Sequence, residues 1–337
     1  MVRIIHDRSV TAARGLATDE VLMGSPALHL YTYERAALVG RYQDLDANID
    51  TEWCTRAGVE YNRRLTGGGA IVMTPDQLGI ALTLDRETHD LPRNITAVFE
   101  HFGSGIVRAL NRLGIDARFV PKNDIVADGR KIAGLGLWER TSEVQFHCSL
   151  LVDIDYTLLS NALAFTDAKL SDKAADSAAD RITTVSEQAG VGVEAAADAV
   201  AAGFNDILDL TLTEDQLTAD ERERIDRLVE KRYSTDDWRY LVDAETDTGT
   251  ATTKTDGGLL RVYARIEDET LAAIQLTGDF FASQATVTAI ESALKWTPLE
   301  RDALIEALEA APTITGVTAE DIVAVTLEAA RSAPDQA

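Results

Sequence analysis

Cysteine and long apolar runs are scarce in this chain of 337 residues. Its two cysteines, Cys54 and Cys148, are too few for a disulfide framework or a four-ligand zinc site, and they suit a reducing compartment. Uninterrupted apolar runs such as residues 79–82 fall far short of the roughly 18 residues that a membrane-spanning helix needs. Residues 1–15 carry charges where a secretory signal peptide has its apolar stretch. We therefore expect a cytoplasmic protein that has no membrane partner.

Positive charge is also scarce, because 32 basic residues face 56 acidic ones and leave a net charge of -24. Such a surface repels phosphates, so nucleic acid is not expected as a partner. Only seven of the basic residues are lysines, and none of them lies in the first 121 residues. An acidic, lysine-poor surface that stays hydrated in a high-salt cytoplasm predicts a halophilic protein, and the alternative is simple drift in composition. The scarcity makes each remaining lysine a candidate for a specific role.

The rest of the composition is that of a folded globular protein, with 45% apolar and 26% charged residues. From residue 2 to about 240, short β-rich runs alternate with amphipathic helices, which is typical of an α/β domain with one sheet. Helix signals are clearest in residues 94–113, where apolar residues recur every four positions, and at Thr218, which opens a capping-box pattern. Asp128-Gly129 predicts a β-hairpin, and residues 144–152 alternate like a strand.

A polar stretch at residues 244–258 is the candidate domain boundary. It contains nothing apolar larger than alanine and is mostly Thr, Asp and Gly, a composition typical of an exposed linker. Beyond it, residues 259–266 and 271–276 predict a strand pair, and three helical segments follow. At roughly 150 residues per domain the length also favours two domains. We therefore predict a main domain at 1–243, a linker at 244–258 and a small second domain at 259–337.

The most unusual segment leads from two arginines into three consecutive glycines. Glycines lose more conformational entropy on folding than other residues, but they let backbone N–H groups approach a ligand closely. Two guanidinium groups favour an anionic ligand. The alternative is a flexible turn between strands. The candidate binding residues are Arg63, Arg64, Thr66, Gly67, Gly68, Gly69 and Ala70.

A second segment, residues 123–134, places Lys131 among β-branched residues of a predicted strand. In a chain with so few lysines, this position suggests a point charge that is needed at a fixed place. The alternative is a strand lysine that faces solvent, and composition alone leaves both open.

Together these segments resemble a known family. Arg-Arg-x-Thr-Gly-Gly-Gly-Ala at 63–70, Asn-Asp-x-x-x-x-Gly-Arg-Lys-Ile-x-Gly at 123–134 and Phe-His-x-Ser-Leu-Leu at 146–151 are similar to motifs of the lipoate-protein ligase branch of the biotin/lipoate ligase and octanoyltransferase superfamily. Gly-Arg-Tyr-Gln at 40–43 resembles an early family element, and residues 169–183 resemble the segment that closes the catalytic domain.

The resemblance extends beyond the predicted linker, where Gly278-Asp279-Phe280 is similar to the accessory domain of full-length ligases. It implies a mixed-sheet α/β catalytic domain of the class II synthetase-like type, followed by a small α+β accessory domain. It also implies a two-step reaction, in which ATP activates lipoate as lipoyl-adenylate and the acyl group then passes to a lysine of an acceptor. The implied acceptors are apo lipoyl domains of 2-oxoacid dehydrogenase E2 subunits and the glycine cleavage H protein.

Roles for single residues also follow from the resemblance. Lys131 would touch both the carboxyl oxygen and the α-phosphate, and Asn123 and Asp124 would serve the phosphates, with Asp124 holding Mg2+. Converging cations offset the repulsion between a carboxylate and a phosphate. The remaining residues implied in lipoate or ATP binding are the segment 63–70 named above, Ala133 and His147.

Three departures from the family pattern bear on the substrate. Val-Met-Thr-Pro-Asp at 72–76 stands where many members have Val-x-His-Asp, and Gly-Leu-Gly at 134–136 stands where ligases often have Gly-Ser-Ala. Cys148 replaces a usual glycine. One alternative is therefore an octanoyl or lipoyl transferase that acts through a cysteine thioester without ATP. Against it, residues 165–167 lack the Pro-Cys-Gly of one transferase branch, and His147 and Cys148 should point to opposite faces of their strand. The other alternative is a lipoate-binding protein without catalytic activity.

Overall fold

The large β-sheet of this protein is mixed and has eight strands, as seen in a computed structural model that describes residues 1–164, 180–241 and 248–333. The strand order is β11-β1-β2-β6-β10-β9-β8-β7, and β1 is parallel to both of its neighbours while β6 to β10 form antiparallel pairs. The strands are β1 (Val2–Val10), β2 (Ala27–Tyr33), β6 (Leu78–Asp85), β7 (Ala117–Val120), β8 (Asp124–Ala127), β9 (Arg130–Arg140), β10 (Glu143–Leu150) and β11 (Leu212–Glu214).

A small three-stranded sheet lies beside the glycine-rich segment in the sequence. It has the order β4-β3-β5, formed by Glu60–Arg63, Ala36–Val39 and Ile71–Met73. The helices of the same part of the chain are α1 (Ala12–Leu22), α2 (Thr51–Ala57), α3 (Ile95–Arg112), α4 (Tyr156–Ala162), α5 (Val185–Ala189), α6 (Val193–Leu208), α7 (Ala219–Leu228) and α8 (Asp236–Arg239).

Helix α3 forms where the four-residue apolar period predicted it. The Asn94 side chain caps it by accepting from the backbone of Thr96 and Ala97. The periodic side chains Val98, Phe102, Ile106 and Leu110 are completely buried. The capping box at Thr218 and the helix it opens are also confirmed.

The predicted hairpin is confirmed as the turn between β8 and β9. Asp128 and Gly129 both have positive φ, 51° and 73°, which is the requirement of a type I′ turn. Strand β10 is confirmed at Glu143–Leu150, which overlaps the range 144–152 in which alternation predicted it.

The prediction of a linker at 244–258 is wrong for most of its described length. Strand β12 (Gly249–Thr255) pairs with β13 (Gly258–Glu267), which pairs with β14 (Thr270–Gly278) in an antiparallel sheet. Small residues alternate into the buried face of β12, and β-branched threonine suits a pleated strand, so the lack of large apolar residues was misleading. The helices that follow are α9 (Gln284–Leu294), α10 (Arg301–Leu308) and α11 (Ala319–Ser332).

The chain divides into two compact units. The first comprises residues 1–38, 48–65 and 71–239, and it contains the large sheet. The second comprises residues 240–337 together with two short segments from early in the chain, 39–47 and 66–70. A single cut near residue 243 is therefore too simple a boundary, because the glycine-rich segment groups with the second unit.

Candidate functional site

One face of the large sheet carries small residues on its central strands and polar residues on the strands to either side. Strand pairing sets Tyr31, Gly79, Ser149, Gly134 and Asp124 side by side across five strands. Residues directly paired across a sheet point to the same face, so these five share one. The next row along the strands is His29, Ala81, His147 and Gly136. On this face the Tyr31 ring lies over Gly79 and the Lys131 side chain lies over Gly134, and we call the face that these residues share the sheet trough.

Lys131 reaches the sheet trough because of a β-bulge. Val126 pairs with Lys131 and Ile125 with Ala133, so Ile132 is an extra residue in β9. The bulge turns Lys131 onto the same face as Gly134, and a methyl group built on Gly134 would lie 3.1 Å from the Lys131 Nζ. Without the extra residue, alternation would place the two on opposite faces.

The Lys131 ammonium lies 2.7 Å from Oδ1 of Asp124, and both side chains are about 38–39% exposed. Its backbone is fixed as well, since its N–H donates to Arg181 O and its carbonyl accepts from Thr183 N, each at 2.8 Å. Lys131 is therefore partly solvent-facing and also paired with a carboxylate. It is a held, accessible cation beside a carboxylate.

Asn123 and Ala133 support the site rather than line it with side chains. The Asn123 side chain donates to Leu135 O at 2.8 Å and ties the start of β8 to β9. Ala133 is completely buried, and the bulge leaves it on the face opposite Lys131. The Ala133 side chain therefore does not line the trough, Gly134 and Ser149 lie beside the lysine, and a binding role for Ala133 stays a prediction.

The two arginines of the glycine-rich segment have different surroundings. Arg63 is completely buried, and its guanidinium donates to the carbonyl oxygens of Trp238 and Arg239. A guanidinium enclosed in this way anchors α8, so the expectation that Arg63 binds an anionic ligand is corrected. Arg64 is also buried, near Tyr31 and Tyr33, and burial lowers the pKa of its guanidinium to about 10. An arginine desolvated to this degree favours a nearby anion.

A buried carboxylate joins the two histidines that face the sheet trough. Asp19 of α1 places Oδ1 2.7 Å from Nδ1 of His29 and Oδ2 3.2 Å from Nε2 of His147. The Tyr31 hydroxyl donates to Asp19 at 3.1 Å, and Nε2 of His29 lies 3.2 Å from Asp7. The sequence analysis gave no role to Asp19 or His29. The signal that could have found them is β2, where polar His29, Tyr31 and Tyr33 alternate with leucines and threonine.

Hydrogen bonds within this network stabilise the ionised forms of Asp19 and His29. Burial alone would raise the pKa of Asp19, but the imidazoles of His147 and His29 outweigh it and lower that pKa to about 2. Burial alone would lower the pKa of His29, but its hydrogen bonds to Asp19 and Asp7 raise that pKa to about 9. His29 is therefore a cation at neutral pH, held between two carboxylates.

The glycine-rich loop, Thr66–Ala70, is built into the second unit by close backbone packing. A methyl group on Gly67 would lie 2.4 Å from the carbonyl oxygen of Phe280, and the Gly68 N–H donates to that oxygen. Gly68 also has φ +90°, which favours glycine. Two of the three glycines thus have a structural reason, whereas Gly69 has no atom closer than 4.0 Å to such a methyl group.

The early Gly-Arg-Tyr-Gln element at 40–43 completes this cluster. Its Arg41 N–H donates to Thr66 O at 2.9 Å, and the Tyr42 ring stacks on Phe280 with centroids 5.1 Å apart. Tyr42 also accepts the Gly278 N–H at 2.9 Å. The three separate motifs at 40–43, 66–70 and 278–280 therefore meet in one place.

Neither cysteine is placed for nucleophilic chemistry. Cys148 lies in β10 on the face opposite His147, where burial raises the pKa of its thiol well above the usual range. Cys54 is completely buried in α2, and burial raises its pKa to about 11. The prediction that His147 and Cys148 face opposite ways is confirmed. The transferase-specific position 165–167 lies outside the described residues.

A metal would find few protein ligands here. Within residues 1–164, 180–241 and 248–333, no group of three His, Cys, Asp or Glu side chains could hold a metal ion. The half-exposed Asp124 carboxylate is a single oxygen ligand beside a cation, which suits Mg2+ that is bound mainly through substrate phosphates. No helix among the described residues is long and apolar enough to span a membrane.

Comparison with known families gives two matches. Residues 12–205 match the lipoyl protein ligase A/B catalytic domain, and residues 248–325 match the bacterial lipoate protein ligase C-terminus. The second match begins one residue before β12, inside the stretch that the sequence analysis took for a linker.

Individual proteins similar to this chain carry two kinds of name. Lipoate-protein ligase A subunit 1 of Thermoplasma acidophilum is 30% identical over 66% of this chain and 90% of its own length. Octanoyltransferase LipM of Kyrpidia tusciae is 26% identical over 71% of this chain and 98% of its own.

Two solved structures are similar as well. An archaeal bipartite lipoate protein ligase, studied with its E2 lipoyl domain from Thermoplasma acidophilum, has a TM-score of 0.66 at 27% identity, covering 72% of this chain and 98% of that one. A lipoate-protein ligase A bound with ATP has a TM-score of 0.63 at 25% identity, covering 71% and 98%.

Proposed function

The chain belongs to the lipoyl protein ligase A/B family, and from this premise we propose that it is an ATP-dependent lipoate-protein ligase. It would join lipoate to AMP and then transfer the lipoyl group to a lysine of an acceptor lipoyl domain. The observation that carries the proposal is the Lys131 ammonium, held over Gly134 on the face of the sheet trough and 2.7 Å from Asp124.

The first step needs charge neutralisation more than it needs a nucleophile from the protein. A carboxylate oxygen of lipoate attacks the α-phosphorus of ATP, a new O–P bond forms, and the bond to the β-phosphate breaks to release pyrophosphate. Lys131 can donate to the carboxylate and to the α-phosphate at once, because an ammonium has three donors. This lowers the repulsion between the two anions and stabilises the charge that develops between them.

Neighbouring residues would assist the same step. Asp124 would hold Mg2+ on the phosphates, and the metal would supply charge stabilisation to the leaving pyrophosphate. Arg64, buried near Tyr31 and Tyr33, would pair with the anionic end of the substrate. His147, in the row that follows Ser149 along β10, would line the trough beside the acyl chain.

The second step proceeds without a protein nucleophile. The acceptor amine attacks the acyl carbon of the mixed anhydride, an amide bond forms, the bond to AMP breaks, and the amine loses a proton to water or to phosphate. Adenylation has already provided the leaving group. The E2 lipoyl domain described with the similar Thermoplasma acidophilum ligase supports lipoyl domains as acceptors here. The glycine cleavage H protein is proposed as a second acceptor.

An octanoyltransferase is the rival proposal, since relatives named LipM match most of their length to this chain. It would need a thiolate within reach of the acyl group. Both cysteines are buried with raised thiol pKa values, and Cys148 lies on the far face of the sheet, so these observations favour the ligase. The half-exposed Lys131–Asp124 pair also suits phosphate chemistry better than simple acyl binding.

We also propose that residues 248–333 act as the accessory domain of the ligase. The match to a lipoate protein ligase C-terminus supports this, as does the cluster formed by Phe280, Tyr42 and the glycine-rich loop.

The proposed function is tested by ATP–pyrophosphate exchange with lipoate, octanoate and biotin supplied in turn. We expect exchange that depends on lipoate and is weak with biotin, and we expect Lys131→Ala to lower it by about a hundredfold or more while leaving the folded state intact. Lys231→Ala is the matched control, because Lys231 is exposed and lies in the π-helical turn Val229–Tyr233, outside the sheet. Acyl transfer without ATP, or normal exchange in Lys131→Ala, would contradict the proposal.

A further inference from the structure

One partly exposed carboxylate near Lys131 contacts two parts of the chain at once. Glu187, in α5, accepts two hydrogen bonds from the Arg130 guanidinium, Nη2 to Oε1 at 2.6 Å and Nη1 to Oε2 at 3.3 Å. Arg130 begins β9 and directly precedes Lys131. A guanidinium–carboxylate pair with two hydrogen bonds fixes distance and orientation together. The pair therefore ties the first residue of β9 to α5.

The same carboxylate also contacts the chain that leads into α5. Thr183 is completely buried, and its hydroxyl donates to Glu187 Oε2 at 3.0 Å. That hydroxyl accepts a further hydrogen bond from the Gln188 side chain, also at 3.0 Å. Glu187 thus connects Thr183 to Arg130, and the three side chains form one hydrogen-bonded group.

Residues 181–183 bind both backbone groups of Lys131. They run parallel to β9, where the Lys131 N–H donates to Arg181 O and the Thr183 N–H donates to Lys131 O. The β-bulge at Ile132 disrupts the ladder with β8 beside this lysine. Residues 181–183 belong to none of the eight strands, so the contact with Glu187 helps to fix them. The direction in which the Lys131 side chain leaves β9 therefore depends on this contact.

Stability alone does not account for the ion pair. The Glu187 side chain is 46% exposed and that of Arg130 is 26% exposed. Ion pairs that water reaches contribute little to the stability of a fold. What this pair does control is the backbone beside the Lys131 ammonium.

We propose that Glu187 is a positioning residue for adenylate formation. Through Arg130 and Thr183 it holds residues 181–183 against β9. That contact keeps the Lys131 ammonium in place. The inference rests on the proposed function, in which this ammonium meets the lipoate carboxylate and the α-phosphate. A reaction of two anions at one cation is sensitive to the position of that cation, since a displacement of about 1 Å can lower a rate about a hundredfold.

The test is Glu187→Gln, which keeps the size of the side chain but removes its charge. In lipoate-dependent ATP–pyrophosphate exchange we expect kcat to fall about 10- to 100-fold, with KM for ATP and for lipoate changed less than about twofold. The melting temperature should stay within about 2 °C of the wild type, because the ion pair is partly exposed. A merely structural role predicts the opposite, a lower melting temperature with kcat unchanged, and that result would overturn the inference.

Amide hydrogen exchange tests the same contact without reference to activity. The Lys131 and Thr183 N–H groups should exchange at least about tenfold faster in Glu187→Gln, because residues 181–183 separate from β9 more often. Asp206→Asn is the matched control, since Asp206 is a partly exposed carboxylate that accepts from two arginines of α3 and joins that helix to α6. It should leave kcat, both KM values and these two amides unchanged.

Arg130→Gln and the double variant show whether the two residues act as a unit. If Glu187 acts through Arg130, then Arg130→Gln lowers kcat in the same way, and the loss in the double variant is much smaller than the product of the single losses. A raised KM for ATP in Arg130→Gln, with normal kcat in Glu187→Gln, would overturn the inference and make Arg130 a phosphate ligand. Unchanged amide exchange in Glu187→Gln would overturn it as well. Absence of pyrophosphate exchange in the wild type would instead overturn the proposed function, and the role of Glu187 with it.

Discussion

Nδ1 of His29 lies 2.7 Å from Oδ1 of Asp19, and both side chains are almost completely buried. The pair connects α1 to β2, and through the second oxygen of Asp19 it reaches His147 on β10. A cation and a carboxylate removed from water together are stable only while both keep their charge. The pH dependence of stability should therefore report on this pair.

We expect stability to fall as the pH rises from 6.5 to 9. The pKa of His29 is raised from 6.5 to about 9, so its contribution is complete below pH 6.5 and is lost as the pH passes through 9. The loss is on the order of a few kcal/mol. The lowered pKa of Asp19, about 2, protects stability until the pH falls below 3.8. Denaturant unfolding across pH 5–9 measures this.

His29→Gln should flatten that slope above pH 6.5, at the cost of lower stability at pH 6. Asp7→Asn is the milder variant, because Asp7 is partly exposed and lies 3.2 Å from the far ring nitrogen. It should remove part of the slope and leave the fold intact. An unchanged slope in both variants would mean that His29 does not carry the transition.

We expect Cys148→Ala to retain ligase activity, with a stability loss of about 1 kcal/mol from a small cavity. The thiol faces away from the sheet trough, and burial raises its pKa far above neutral pH. The measurement is lipoyl transfer to an acceptor domain by mass spectrometry. An acyl group trapped on Cys148, together with transfer that needs no ATP, would replace the ligase by the transferase.

Gly67→Ala and Gly69→Ala should separate the structural glycine from the open one. A methyl group on Gly67 meets the backbone oxygen of Phe280 at 2.4 Å, and we expect a loss of about 1–3 kcal/mol in the stability of the second unit. A methyl group on Gly69 would meet no atom closer than 4.0 Å, so Gly69→Ala should melt like the wild type. If the loop binds substrate, this variant should instead raise KM. Thermal unfolding and exchange kinetics check the two separately, and equal melting temperatures would contradict the packing argument.

Local patterns predicted the local structure well, and the site itself was less accessible from sequence. Helix α3 and the Asp128-Gly129 turn follow from side-chain period and backbone geometry. Lys131 was found through its rarity, but the bulge at Ile132 that turns it toward Gly134 depends on pairing with β8. No sequence pattern shows that Arg63 would be enclosed by carbonyl groups of residues 238–239.

Strand β12 was missed for a related reason. The prediction relied on large apolar residues, whereas this strand buries Gly249, Ala251 and Thr255. Its partners lie in β13 and in α11, where a methyl group on Gly249 would lie 2.0 Å from Ala329 O. Close approach by a helix selects small residues, and composition alone cannot distinguish that from a flexible linker.

The last prediction concerns salt. With a net charge of -24, the folded chain repels itself, and dissolved ions screen that repulsion as the Debye length falls from about 10 Å at 0.1 M to 3 Å at 1 M. Acidic side chains in several ion pairs, such as Asp215 and Glu214, are well exposed, so dissolved ions reach them readily. We expect the melting temperature to rise steadily between low and molar potassium chloride. Sodium sulfate at matched ionic strength is the control, since it also strengthens apolar burial and should raise the temperature further. A melting temperature that stays flat or falls in potassium chloride would contradict the expectation of a halophilic protein.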